Sequence, residues 1–103
     1  MDPIRSAFQD DPDMIELVSE FVSAFPERVA ALEECLAQGD LPQIQVLAHQ
    51  LKGAGGGYGY PQITEAAAAL EMVVKEGADS SLVKEKFEFL RETLGAVVVP
   101  EVA

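Results

Sequence analysis

A chain of 103 residues with 18 acidic against 7 basic side chains and a formal charge of −11 repels phosphate backbones and anionic membrane surfaces, which excludes nucleic acid and membranes as partners over most of its surface. The length is that of about one domain with one modest core. Hydrophobic residues make up 49% of the chain, with no Trp, and Ala, Leu and Val dominate, which suits interlocking helices better than an aromatic-rich β-sandwich.

The N-terminus, Met1-Asp2-Pro3-Ile4-Arg5, lacks the basic-then-apolar order of a signal peptide, and no run approaches the ~18 apolar residues of a spanning helix. The expected location is the cytoplasm. The single Cys35 cannot form an internal disulfide and reads as a core or boundary thiol in a reducing compartment.

In chain order, Ile4 to Phe8 is expected as a short helical piece over one end of the fold. Asp11-Pro12 joins a capping side chain to a proline at the first helical position, and Ile15, Leu17, Val18, Phe21, Val22 and Phe25 follow at helical spacing. The pattern resumes with Val29, Leu32 and Leu36, so Pro26 either kinks one helix or separates two. Gly39 suits a left-handed C′ position and Asp40 the next N-cap, with Gln43 completing a capping-box pattern. Another helix opens at Pro61, runs through Ile63, Ala66, Ala67, Leu70, Val73 and Val74, and stops at Gly77. Asp79-Ser80-Ser81 then caps a last amphipathic helix through Leu82, Val83, Phe87, Leu90 and Leu94. The run from Val97 to Ala103 is too short to cross a bilayer and reads as a frayed end or the point where a longer chain was cut. Connections of about two to five residues make consecutive helices antiparallel. The expected fold is therefore all-α, an antiparallel up-down four-helix bundle with a short additional N-terminal helix, in a single domain across 1–103. Internal repeats and strand-like alternation are absent from the pattern.

The stretch from Ile44 to Tyr60 is the informative one. At 100° per residue, Ile44, Leu47, Ala48, Leu51, Gly55 and Tyr58 share an apolar stripe, and His49 falls well outside it. Gln45, Lys52, Gly53 and Gly56 are its i−4, i+3, i+4 and i+7 neighbours. Each glycine inside a helix costs roughly 1 kcal/mol relative to Ala, so their number requires a reason: Gly53 and Gly56 clear the space beside an exposed imidazole, while Gly55 faces inward and admits a neighbouring helix. A histidine with an ordinary pKa near 6.5 is largely neutral at pH 7 and offers one ring nitrogen as a nucleophile. Periodicity alone establishes only its exposure. Other chemistries fail on spacing: Lys52 precedes its glycines rather than following them as in a P-loop, the dinucleotide pattern places Tyr58 or Tyr60 where glycine is needed, and one His with one Cys cannot make a structural zinc site. An autonomous enzyme is not indicated.

At these residues the sequence resembles the histidine-containing phosphotransfer (HPt) domains of two-component phosphorelays. The pattern His-x-Leu-Lys-Gly-x-x-x-x-x-Gly is met by His49, Leu51, Lys52, Gly53 and Gly59, followed by Ile63 and Ala69-Leu70-Glu71. The stretch from Pro26-Glu27-Arg28 to Gly39-Asp40 is similar to the family's preceding helix and turn. The resemblance implies four long helices and an exposed histidine, His49, phosphorylated on Nε2 by a receiver-domain aspartyl phosphate and able to return the group to another receiver. It implies that Lys52 stabilises phosphate charge, that Gly53 permits receiver docking, and that Glu71 orients His49 by accepting a hydrogen bond from Nδ1. The implied docking face takes in Gln45, Gln50, Gly53, Gly56 and Lys75. Response-regulator receivers, or a sensor histidine kinase, are the implied partners of a monomeric, non-catalytic intermediate. No metal or cofactor is expected in the chain itself, the Mg²⁺ belonging to the receiver. The run Gly55-Gly56-Gly57 departs from the family pattern and leaves open how far the helix continues past Gly53. Also open are an ordinary i,i+4 pairing of Glu71 with Lys75, an origin in a hybrid or chemotaxis-type sensor kinase, an acidic helical adaptor that binds without phosphorylation, and, more remotely, a metal-assisted histidine enzyme.

Overall fold

The helix boundaries follow from local capping chemistry. The computed structural model describes residues 1–99 as β1 (Ile4–Arg5), α1 (Pro12–Ser23), α2 (Phe25–Gln38), α3 (Leu41–Gly57), α4 (Pro61–Lys75), α5 (Ser80–Gly95) and β2 (Val97–Val98). Asp11, Asp40 and Asp79 each turn a carboxylate back onto a first-turn amide, at 3.0, 3.2 and 3.0 Å, satisfying donors that have no partner within the helix. Gly39, at φ 69°, closes α2 in a Schellman turn: its own amide reaches the Leu36 carbonyl and the Asp40 amide reaches Cys35 at 2.9 Å. That second bond occupies the donor a capping box needs. Asp40 caps α3 as expected, but its amide has no bond left for the Gln43 side chain.

Pro26 separates two helices rather than kinking one. Ala24 lies between α1 and α2, and Pro26 occupies the first turn of α2, where a missing N–H is tolerated. The glycine-rich end of α3 stays helical as far as Gly57.

The four helices α2 to α5 close a ring of contacts, α2 on α3, α3 on α4, α4 on α5, and α5 back on α2. Val18, Leu32, Ile44, Leu51, Ile63, Leu70, Val83 and Leu90 fill the interior at 1% exposure or less, each side chain contributing about 1.5–3 kcal/mol by leaving water. The tightest seam is α3 against α4. α1 covers the Tyr58–Tyr60 turn through Phe21, whose ring stacks on Tyr58 with centroids 4.4 Å apart.

The N-terminal segment departs from expectation. Ile4 to Phe8 forms no helix: β1 pairs in parallel with β2, Ile4 opposite Val97 and Arg5 opposite Val98, and turns follow. The reason is competition for hydrogen bonds. The Ile4 amide donates to the Ala96 carbonyl and the Ala7 amide to Gly59, both at 2.8 Å, and the Ser6 hydroxyl donates to the Tyr58 carbonyl at 2.7 Å. A five-residue helix would carry the full nucleation cost for one or two internal bonds. Val97 and Val98 are thus held in a strand, and the remainder of the C-terminal reading, from Pro100 onward, lies outside the described residues. Among the described residues no helix is long and apolar enough to cross a membrane.

Candidate functional site

The seam between α3 and α4 is set by one glycine. Ile44, Ala48, Leu51 and Gly55 are buried along α3, and a β-carbon at position 55 would stand 2.8 Å from Thr64 Oγ1, 2.9 Å from the Thr64 backbone nitrogen and 3.0 Å from Ile63 Cβ. Gly55 therefore faces inward and lets α4 approach closely. Gly53, on the open side, has nothing within 4 Å of such a β-carbon.

This close approach brings Glu71 of α4 under His49. The His49 side chain is 67% exposed and that of Glu71 only 6%. His49 Nδ1 lies 2.7 Å from Glu71 Oε2, and the Lys52 ammonium donates to the other carboxylate oxygen, Oε1, also at 2.7 Å. The i+4 neighbour Lys75 stands farther off, at 3.9 Å from Oε2. Glu71 is thus engaged foremost across the seam and only secondarily along its own helix.

A carboxylate buried to this degree is costly unless paired. The hydrogen bond from Lys52 holds the Glu71 carboxyl below its ordinary value; burial opposes this, and the His49 bond and the charges of Lys52 and Lys75 reinforce it. At neutral pH Glu71 is an ionised, acceptor-only group. Nδ1 is then the nitrogen that carries the hydrogen, and in the neutral imidazole the Nε2 lone pair lies on the side of the ring away from Glu71. The arrangement presents the Nε2 edge of the imidazole to solvent, backed by a fixed negative charge. Two of the chain's 7 basic side chains converge here on Glu71 in a molecule of net charge −11.

Of the residues singled out in the sequence, His49, Lys52, Glu71 and Lys75 come together. Gln45, His49, Gln50, Glu71 and Lys75 line a shallow groove with Val46, and a second groove on the far side of Glu71 is bordered by Lys52, Ala68, Met72, Lys75 and Glu76. Gly53 and Gly56 line neither groove; both are exposed on α3 beyond His49. Gly56 leans toward α4, its amide donating to Thr64 Oγ1 at 2.9 Å. Three contributors escape the sequence reading. Val46 and Met72 are 47% and 58% exposed beside the site; Val46 was discernible as an apolar residue off the buried stripe, three positions before His49. Thr64 left no sequence signal at all. Cys35 is buried away from the site, and burial foremost pushes its thiol up, as suits a packing residue.

A family model described as Hpt domain matches residues 16–98. No curated protein and no solved structure matches the chain.

Proposed function

The chain belongs to the Hpt domain family, whose members carry phosphoryl groups on histidine in two-component signalling, and we propose from this premise that His49 is the phosphoacceptor, exchanging a phosphoryl group with the aspartate of a receiver domain. The observation that carries the reading is the 2.7 Å contact between His49 Nδ1 and the buried carboxylate of Glu71.

The chemistry follows from that contact. The Nε2 lone pair attacks phosphorus of the receiver's aspartyl phosphate; an N–P bond forms, the acyl O–P bond breaks, and the electron pair returns to the aspartate as a carboxylate. Nδ1 keeps its hydrogen throughout, and the positive charge appearing on the ring is held by Glu71. Lys52, already beside Glu71, offers an ammonium to the arriving phosphoryl oxygens, with Lys75 a second cation nearby. Phosphoryl transfer asks mainly for such positioning and charge stabilisation, and the Mg²⁺ is supplied by the receiver. The surface around His49 suits the docking: Gly53 is flat and open, Gln45 and Gln50 flank the ring, and exposed Val46 and Met72 offer apolar contact. This chain is a relay intermediate whose catalysis is completed by its partner, a receiver or a sensor kinase.

Incubation with a phosphorylated receiver should place an acid-labile, base-stable phosphate on the wild-type chain and none on His49→Gln. Persistence of the label in His49→Gln would sink the assignment.

A further inference from the structure

The stretch Gly53-Ala54-Gly55-Gly56-Gly57 is the poorest helix-forming sequence in the bundle, yet α3 runs through it. One side chain of α4 reaches into this turn. The Thr64 hydroxyl donates to the Lys52 carbonyl at 2.8 Å and accepts from the Gly56 amide at 2.9 Å. Those two groups are the i and i+4 partners of a single helical turn, the one that begins three residues after His49 and carries Lys52 at its start. The approach requires glycine at 55, where a β-carbon would stand 2.8 Å from the hydroxyl oxygen. A β-branched side chain is restricted about χ1, which leaves the bridge few geometries.

Resting on the phosphotransfer reading, we propose that Thr64 is a positioning residue for the phosphoacceptor site: its hydroxyl bridges the Lys52 carbonyl and the Gly56 amide and sets the α3 turn from which the Lys52 ammonium reaches Glu71. Without the hydroxyl, the turn loses its tie to α4 and the Lys52 contact with Glu71 slackens. The glycines beyond His49 thereby serve two surfaces, the open one toward a receiver and the inner one toward Thr64.

The test uses the full chain with Thr64→Val, which keeps the shape and loses the hydroxyl, and Thr64→Ser, which keeps the hydroxyl. Thr93→Val is the control, because the Thr93 hydroxyl is buried and donates only to Phe89 of its own helix, at 2.8 Å. The Glu71 carboxyl is followed by carbon NMR during a pH titration, and transfer is timed from a receiver domain charged with acetyl phosphate. Thr64→Val should raise the Glu71 midpoint toward the ordinary carboxylate range and slow transfer at saturating receiver by roughly tenfold, the scale of a small misplacement of a positioned group. Thr64→Ser should restore both, and Thr93→Val should change neither. An unmoved Glu71 midpoint or an unchanged transfer rate in Thr64→Val, the same shift in Thr93→Val, or no restoration by serine overturns the proposal. Failure of wild-type His49 to take any label overturns the phosphotransfer reading instead, and the Glu71 midpoint then decides the role of Thr64.

Discussion

The seam around Glu71 and the clasp around Gly59 are both built on a glycine whose β-carbon would collide, but one holds a buried charge beneath an exposed imidazole and the other buries neutral groups. At the clasp, a β-carbon on Gly59 would lie 2.5 Å from Ser6 Oγ and 2.7 Å from the Ala7 amide nitrogen. Ser6 and Tyr60 are 2% and 0% exposed, and the Tyr60 hydroxyl donates to the Val98 carbonyl at 3.0 Å. Burial pushes the Tyr60 phenol up, so it remains a donor, and the whole network ties β1 and β2 to the α3–α4 turn without an ionised group. At the seam, the corresponding tight approach of α4 places a carboxylate beneath an imidazole that is left open to solvent. Neutral hydrogen bonds among buried groups serve stability; a buried charge shared among three partners serves, in the proposed function, the chemistry of the one that is exposed.

Gly59→Ala should separate the two regions most strongly. Its backbone φ of 84° and the collision with Ser6 and Ala7 combine left-handed strain with overpacking, costing about 3 kcal/mol in a denaturant melt. The folded fraction should still accept phosphate from a receiver at the wild-type rate. A matching fall in transfer would mean that clasp and seam are one unit.

Glu71→Leu should do the reverse. Its remaining partners Lys52 and Lys75 are 35% and 55% exposed, so water can solvate their ammonium groups once the carboxylate is gone and the stability cost should stay small, whereas losing the partner that fixes the imidazole should lower transfer roughly 10- to 100-fold. Acid provides the second readout. The folded-state pKa of Glu71 lies below the ordinary value, so its stabilising contribution is fully present above about pH 4.3 and is lost as pH falls through the depressed folded value. Wild type should therefore lose melting temperature in that acid window, and Glu71→Leu should lose less.

Gly53→Ala is the smallest expected change. A methyl group there meets nothing within 4 Å, and alanine should stabilise the helix by up to about 1 kcal/mol. The gain should come with weaker receiver docking, seen as a raised KM for transfer with little change in the rate at saturation. Unchanged docking would remove Gly53 from the proposed interface.

Local features were legible in the chain itself. Asp11, Asp40 and Asp79 announce helix starts because a capping bond spans only two or three residues, and the exposure of His49 and the inward face of Gly55 follow from 3.6-residue periodicity alone. The capping role read for Gln43 failed because the Asp40 amide is claimed by Cys35 on the preceding helix. Ile4 to Phe8 failed for a related reason: its hydrogen-bond partners are Tyr58, Gly59 and Ala96, far away in sequence. Val46 and Met72 are apolar residues whose exposure depends on which faces the bundle leaves uncovered.

From residue order alone come the helices, their caps, the stripe that turns inward and the histidine that turns outward, since each depends on interactions within one or two turns. Which oxygen of Glu71 meets His49 and which meets Lys52, how Thr64 enters the turn beyond the histidine, and why the first residues pair as a strand were decided by packing. These depend on groups brought together from different elements, at separations of 2.7 to 2.8 Å that no pattern of residue types encodes.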